Sequence, residues 1–366
     1  MIEPMRMNST LAWLVDEAAN SAGAGQLLAE IGAHLIADRL PLAAGALTLD
    51  VPHPLISRRV WLWRAETGEV IEGLGFASGG PAAASPSGDA GRQWLAGVAS
   101  GPVHEDAVGR RPDAPSLAWV GPRPFTPSEA HDLCQAARFA AAPVAALAAR
   151  ANLKAALEAY LGRRSAARVL AAPLRRDEGE TIAAALLYAD LRNFTALSES
   201  YPPAEVIAAL NGWFDRIAGA VHAFGGEVLK FIGDGILAIF PVGDGGPRAA
   251  CEAALRAASA ARAGMAHLDQ ERRRQGLPPL PFGVALHLGD MFWGNIGAAD
   301  RLDFTAIGPA VNLVSRLEGL CKPLQKTVLV SGAFAAETNG PLVALGTYEL
   351  RGIAAPCPVF ALPEKL

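Results

Sequence analysis

Two aspartates carry the first suggestion of chemistry in this chain. Asp190 closes an unbroken apolar run, Ile182 to Ala189, and Asp234 sits between two glycines in the hairpin-like stretch Glu227 to Phe240. A short apolar run without polar alternation reads as a strand buried on both faces, which delivers Asp190 at the strand's C-terminal mouth, where open α/β sheets bind ligands. Gly233-Asp234-Gly235 reads as a tight turn whose glycines permit the bend and the close approach of a phosphate. Taken singly, Asp190 fits a helix cap and Asp234 a purely conformational turn residue equally well. Together, two carboxylates converging at strand ends suit a pair of hard divalent cations that keep coordination sites for substrate phosphates.

Three further residues stand out. Lys230 lies between Leu229 and Phe231, inside an otherwise apolar strand and four residues before Asp234. An ammonium there reaches solvent at a sheet edge or finds a partner such as a substrate base. Asn312 and Arg316 stand at i and i+4 in a helix opened by Gly308-Pro309, so they share one face. Arginine offers bidentate recognition of phosphate oxygens and asparagine can orient a ribose, although a solvated helix face tolerates the same pair.

The elements that must position these residues follow from the pattern. A strand (182–189) leads to two helices (194–200 and 203–224), a hairpin (227–240), and a long helix (246–275). Then come a strand (282–289), a short strand (291–296), a strand (302–307), a helix (309–321), a strand (327–331) and a final strand pair near 344–350 and 359–362. This interleaving of helices with hairpins is α+β, not doubly wound parallel. Upstream, helix-period hydrophobes run from Leu11 to Leu40 with a break at Gly23 to Gly25, and strand-like runs follow at 44–51 and 59–65. A Gly/Ser/Pro-rich stretch, 76–91, reads as loop. A strand candidate (116–120) precedes a helix start at Thr126-Pro127-Ser128-Glu129, and the helical pattern continues past an interruption at Pro143 to about Leu161. Residues 163–180, basic and then acidic, mark a boundary.

Composition sets limits on partners. The chain has 366 residues, a net charge of −4 and 51% hydrophobic residues, enough for two or three domains and without global attraction to nucleic acid or anionic lipid. Its four cysteines, Cys134, Cys251, Cys321 and Cys357, show no metal-ligand spacing and fit a reducing compartment. No apolar run reaches the roughly 18–20 residues a membrane span needs, so a soluble, cytoplasmic protein is expected.

The segments ADLRNFT, KFIGDG, HLGDMFWGNIG and FTAIGPAVNLVSR, in that order between about Ala183 and Phe360, resemble the motifs of the class III nucleotidyl cyclase catalytic domain. The resemblance implies a palm-type, ferredoxin-like antiparallel sheet flanked by helices over residues 163–366. Asp190 and Asp234 would then bind two Mg²⁺ or Mn²⁺ ions, with the Leu191 carbonyl as an additional ligand, and the backbone N–H groups of Phe194 and Thr195 would hold the triphosphate. Lys230 and Thr305 fall at the base-selecting positions and imply ATP. Asn312 would position the ribose and Arg316 stabilise charge at the α-phosphate. In this family the two sets of residues meet across a head-to-tail homodimer, so cyclic AMP synthesis in a homodimer is the expectation, with a guanylyl cyclase or a weakly catalytic nucleotide-binding module as alternatives.

Two departures accompany the resemblance. Asn193 replaces a frequent glycine, and no late lysine is evident in YELRGIAAP, which makes Arg351 the candidate substitute and Arg301 a further candidate phosphate contact. Residues 1–126 resemble a GAF-like sensor domain that would receive a small-molecule or protein signal, and 127–162 would form a linking helix. An inert linker fits the same pattern. His53, Trp61, Trp63 and Trp94 are candidate pocket residues there, although ordinary core packing explains the tryptophans equally well.

Overall fold

The computed structural model describes residues 9–50, 56–76, 90–109, 114–171, 179–298 and 300–363. The chain divides into two compact units, Met1–Leu153 and Lys154–Leu366.

The first unit begins with α1 (Ser9–Asp16), a 3₁₀ turn (Ala18–Asn20) and α2 (Ala24–Ala37), with the expected break before Ala24. Strands β1 (Ala44–Asp50), β2 (Ile56–Arg64) and β3 (Val70–Phe76), helix α3 (Ala90–Val98), strands β4 (His104–Ala107) and β5 (Ser116–Val120), and helices α4 (Pro127–Phe139) and α5 (Ala141–Leu161) follow. The five strands form an antiparallel sheet in the order β3-β2-β1-β5-β4. Strand alternation sorts the side chains between two layers. Leu47, Trp63, Leu117 and Trp119 pack with Leu27, Leu28, Ile31 and Leu133 of the helices, while Ala44, Ala46, Ala118 and Val120 pack against Leu95 of α3.

Gly45 pairs with Trp63 on one side and Trp119 on the other, and any side chain on Gly45 would collide with the Trp119 ring. The two indoles fill that space edge to face, 6.2 Å apart. Trp63 is therefore core, and Trp61 and Trp94 pack at the margins of the two core clusters. His53 lies outside the described residues, as do residues 77–89 of the expected loop. Gly91, assigned to that loop by its composition, belongs instead to α3. The expected linking helix is two helices. Thr126 and Glu129 cap α4 reciprocally, and Leu133, Ala136, Ala137, Ala140 and Val144 are buried in the first unit's core. The division between the units falls inside α5, ahead of the basic-then-acidic stretch 163–180, and the apolar stripe of α4 belongs to the first unit's core.

The second unit runs α6 (Arg163–Ala171), β6 (Gly179–Leu191), α7 (Phe194–Ser200), α8 (Pro203–Ala223), β7 (Glu227–Ile232), β8 (Gly235–Pro241), α9 (Gly246–Arg274), β9 (Phe282–Gly297), β10 (Leu302–Ile307), α10 (Pro309–Glu318), β11 (Val328–Ser331), α11 (Gly332–Ala335), β12 (Val343–Tyr348) and β13 (Cys357–Ala361). Seven strands form a sheet in the order β12-β13-β11-β9-β6-β8-β7, and β10 pairs with β9 off that path. Only the β11–β9 pairing is parallel among the described strands. The α+β expectation holds.

β6 is the axis. Ala185, Leu187, Ala189 and Leu191 face α8 and α9, whose buried residues recur at helical spacing (Val206, Ala209, Trp213, Ile217 and Ala250, Ala254, Ala258, Ala261). Ala184, Leu186 and Tyr188 face the other way, toward Ala310, Val314 and Leu317 of α10. Both faces of the strand are buried, which is why its sequence lacks polar alternation. The two strands expected at 282–289 and 291–296 are one continuous strand. Gly289, which reads as a turn, is there for packing: a Cβ on it would meet Ala310 Cβ and His287 Nε2, each at 2.9 Å.

Candidate active site

The register of β6 brings Tyr188 and Asp190 to the α10 side of the sheet, because residues two apart share a face. The β7–β8 turn brings Asp234 to the same corner. Gly233 takes φ 62°, a left-handed conformation glycine adopts without penalty, and the Asp234 carbonyl accepts a 2.9 Å hydrogen bond from Trp213 Nε1. On the other side of the turn, a side chain on Gly235 would run into the Tyr188 hydroxyl. Indole and phenol thus hold the turn between them.

The Asp190 and Asp234 carboxylates are near enough to perturb one another. Burial, then the neighbouring Asp234 charge, then Glu318 push the Asp190 carboxyl well above the ordinary carboxylate range. Glu318 is itself pushed up to about 7, by burial first, with Arg192 opposing and Asp234 adding to the rise. Tyr188 is raised to about 12 by burial and by all three carboxylates. Like charges held together in a half-buried corner are costly alone and favourable around divalent cations. Asp190, Asp234 and the Leu191 carbonyl are the groups able to hold such ions. Among the described residues no cluster of three or more His, Cys, Asp or Glu side chains is arranged for a metal ion.

The turn after β6 is strapped down. Arg192 N–H donates to Pro281 O (2.7 Å), Arg192 Nη2 to Lys326 O (2.6 Å), and Lys322 Nζ to Asn193 Oδ1 (3.1 Å). Asn193 occupies the left-handed region at φ 61°, ψ 28°. That conformation explains the usual preference for glycine, and asparagine is the side chain that tolerates it best. Its side chain makes no cap to the helix, which leaves the first-turn N–H groups of Phe194 and Thr195 uncapped by it.

A second group forms where β7 approaches β10. Lys230 Nζ forms an ion pair with Asp303. Asp303 and Thr305 lie two apart on β10, opposite Ile296 and Gly294, and so share a face. Lys230 and Thr305 therefore lie in one neighbourhood, and Asp303 is a partner the sequence reading did not identify. Asn312 and Arg316 are exposed on α10, opposite its buried residues Ala310, Val314 and Leu317, and neither side chain has a hydrogen bond or ion pair among the described residues. Arg301, in the β9–β10 connection, and Arg351, in the turn after β12, are exposed and join neither group.

Glu318 was missed because only the packing of α10 on the sheet brings it to the aspartates, while Tyr188 and Arg192, each two residues from Asp190, carry no motif that sets them apart from structural residues. Glu318 did leave one trace: an acid in the last turn of a helix opposes the macrodipole.

Comparison with known proteins follows the same outline. The family described as the adenylate and guanylate cyclase catalytic domain matches residues 178–353. Adenylate cyclase 1 of Rhizobium meliloti (strain 1021) is 35% identical over 170 residues, 45% of this chain and 25% of that protein. The adenylate cyclase of Anabaena cylindrica is 32% identical over 160 residues, 43% of this chain and 31% of that protein. The match thus spans less than a third of either relative. The solved structure of a bacterial light-regulated adenylyl cyclase shares the fold, with a TM-score of 0.52 at 19% identity, covering 71% of this chain and 85% of that one. No helix among the described residues is long and apolar enough to cross a membrane. With its strand order, its paired aspartates and this sequence match in agreement, the segment 178–353 belongs to the adenylate and guanylate cyclase catalytic-domain family.

Proposed function

We propose that this chain is an adenylate cyclase that converts ATP to 3′,5′-cyclic AMP and pyrophosphate in a homodimer. The observation that carries the reading is the proximity of Asp190 and Asp234, two half-buried like charges whose repulsion divalent cations would relieve. Two Mg²⁺ or Mn²⁺ ions bound there would lower the charge on the triphosphate and activate the ribose 3′-hydroxyl. Asp190, Asp234 and the Leu191 carbonyl hold that corner, and the Phe194 and Thr195 N–H groups face the phosphates. The 3′-oxygen forms its bond to the α-phosphorus, the α–β anhydride bond breaks, pyrophosphate leaves and the hydroxyl proton passes to solvent. Asn312 orients the ribose and Arg316 stabilises the charge on the reacting phosphate, so catalysis rests on positioning and electrostatics. Arg351 and Arg301, exposed and outside both groups, are the remaining candidates for phosphate contacts.

Lys230 supports ATP over GTP. Its ammonium donates to adenine N1, and Thr305 on the facing strand accepts from the exocyclic amine. A second copy is supported by exposure. Phe231 (51%), Ile232 (48%) and Ile307 (49%) are large apolar side chains left in solvent beside Lys230 and Thr305, while Asn312 and Arg316 have no partner in their own chain among the described residues. A guanylate cyclase and a non-catalytic module are the competing readings. Residues 1–126 are read as a GAF-like sensor unit, supported by a separate antiparallel sheet with its own core.

Parallel assays with ATP and GTP in Mn²⁺ test the substrate, and a GTP preference overturns the role given to Lys230 and Thr305. For the dimer, Asp190→Ala and Arg316→Ala are expected to be inactive separately and to regain activity when mixed, since one intact site then forms per heterodimer. A heterodimer verified by mass that stays inactive rejects the shared site.

A further inference from the structure

Asp190 lies directly opposite Gly283 in the β6–β9 ladder, so the two positions face the same side of the sheet. The space over Gly283 is filled by another carboxylate: a Cβ built there would collide with Glu318 Oε1 and come within 2.9 Å of Cys321 Cβ. The absent side chain of Gly283 is thus the slot in which the Glu318 carboxylate lies beside Asp190. Glu318 is the last residue of α10, where the helix dipole disfavours an anion, and it is half-buried. No Lys, Arg or His stands within ion-pair distance of it among the described residues. The nearest cationic influence, Arg192, commits Nη2 to the Lys326 carbonyl. Three carboxylates share one corner with one guanidinium, Arg192, to offset them, and two of the three charges are left to be balanced by further positive charge.

We propose that Glu318 is the outer acidic member of the cation site. Its charge adds to those of Asp190 and Asp234 in drawing divalent cations to the corner, and Gly283 makes room for it. In this reading Glu318 acts through the field at the two ligands, Asp190 and Asp234. This inference rests on the cation-dependent cyclase reading of the same corner.

The test is Mn²⁺ binding to the purified full-length protein without nucleotide, read from the loss of the free-ion electron paramagnetic resonance signal. Glu318→Gln, which keeps the shape and removes the charge, is expected to weaken Mn²⁺ binding about tenfold. Glu318→Asp, which keeps the charge, is expected to stay close to wild type. Gly283→Ala, which displaces the carboxylate from its slot, is expected to weaken binding without touching Glu318 itself, and it serves equally should Glu318→Gln fail to fold. Asp190→Asn is the reference, expected to lose Mn²⁺ altogether. Wild-type affinity in both Glu318→Gln and Gly283→Ala, with Asp190→Asn defective, overturns the role of Glu318 and leaves the cation site standing. Wild-type affinity in Asp190→Asn as well removes the cation site, and the cyclase reading with it.

Discussion

The two units of this chain shift the titration of their acids in opposite directions. In the first unit, burial raises Asp38, but hydrogen bonds from Ser9 and Thr10 outweigh it and hold the carboxyl below its ordinary value. Burial likewise opposes and Arg92 reverses the shift at Glu105, and Glu129 is held down to about 2 by hydrogen bonds from Arg123 and the Thr126 backbone. In the second unit the shifted acids all move upward. Asp190 and Glu318 are crowded by each other and by Asp234, and Glu227 is raised by burial despite accepting from the N–H groups of Arg164 and Ser165. Asp38, Glu105, Glu129 and Glu227 are met by donors supplied in the same chain, whereas Asp190 and Glu318 are pushed up by burial and by neighbouring carboxylates, the pattern expected of acids that await a partner from outside.

The contrast predicts opposite responses to the same kind of substitution. Asp190→Asn should lower cyclase activity on the order of 10³-fold by removing a cation ligand, which corresponds to several kcal/mol of lost transition-state stabilisation. In chelator the same variant should melt at a higher temperature than wild type, because the like-charge repulsion is gone. A lower melting temperature there breaks the comparison. His287 gives the next largest effect. It is 8% exposed, contacts Ser331 Oγ through Nδ1 at 2.8 Å, and is pushed down to about 4 by burial. Its folded value lies below the unfolded value of 6.5. Between those limits the unfolded chain binds the proton more readily, so stability present above pH 6.5 is lost as pH falls toward 4, by up to about 3 kcal/mol. Denaturant titrations of wild type and His287→Asn across that window should show the slope in wild type and its loss in the variant.

Asp38→Asn acts in the first unit and should destabilise it by about 1–2 kcal/mol, since two charge-assisted hydrogen bonds from Ser9 and Thr10 weaken. A melting temperature that rises, as predicted for Asp190→Asn, would erase the distinction between the two units. The smallest effect is Thr126→Ala, expected to cost about 1 kcal/mol by removing the cap on α4. Hydrogen exchange at the start of α4 should report it locally.

Much of the second unit was legible because its signals are local. The apolar run ending in Asp190, the Gly233-Asp234-Gly235 turn and the Gly308-Pro309 helix start each depend on neighbouring residues, and α7 and β10 fall where the pattern put them. The first unit was less legible. Strand β3 contains two glycines and a glutamate, β4 is polar at three of its four residues, and α3 is short and contains two glycines, so none of them stands out as an element in the sequence. They are held by pairing with β2 and β5 and by packing of α3 on β1 and β5, which are tertiary facts.

The sequence by itself determined which side chains are available and which local element presents each: an acid at a strand end, an acid in a glycine turn, a lysine in an apolar strand, an asparagine and arginine on one helix face. Strand period, turn chemistry and helix period are properties of adjacent residues, and they survive reading in one dimension. Only the tertiary structure decided that Asp190, Asp234 and Glu318 share a corner, that Gly283 leaves the slot for the third of them, and that Lys230 meets Asp303. Those meetings depend on the register of β6 against β9 and on the angle at which α10 crosses the sheet. Both are set by the summed packing of two core faces, which no short stretch of the chain encodes.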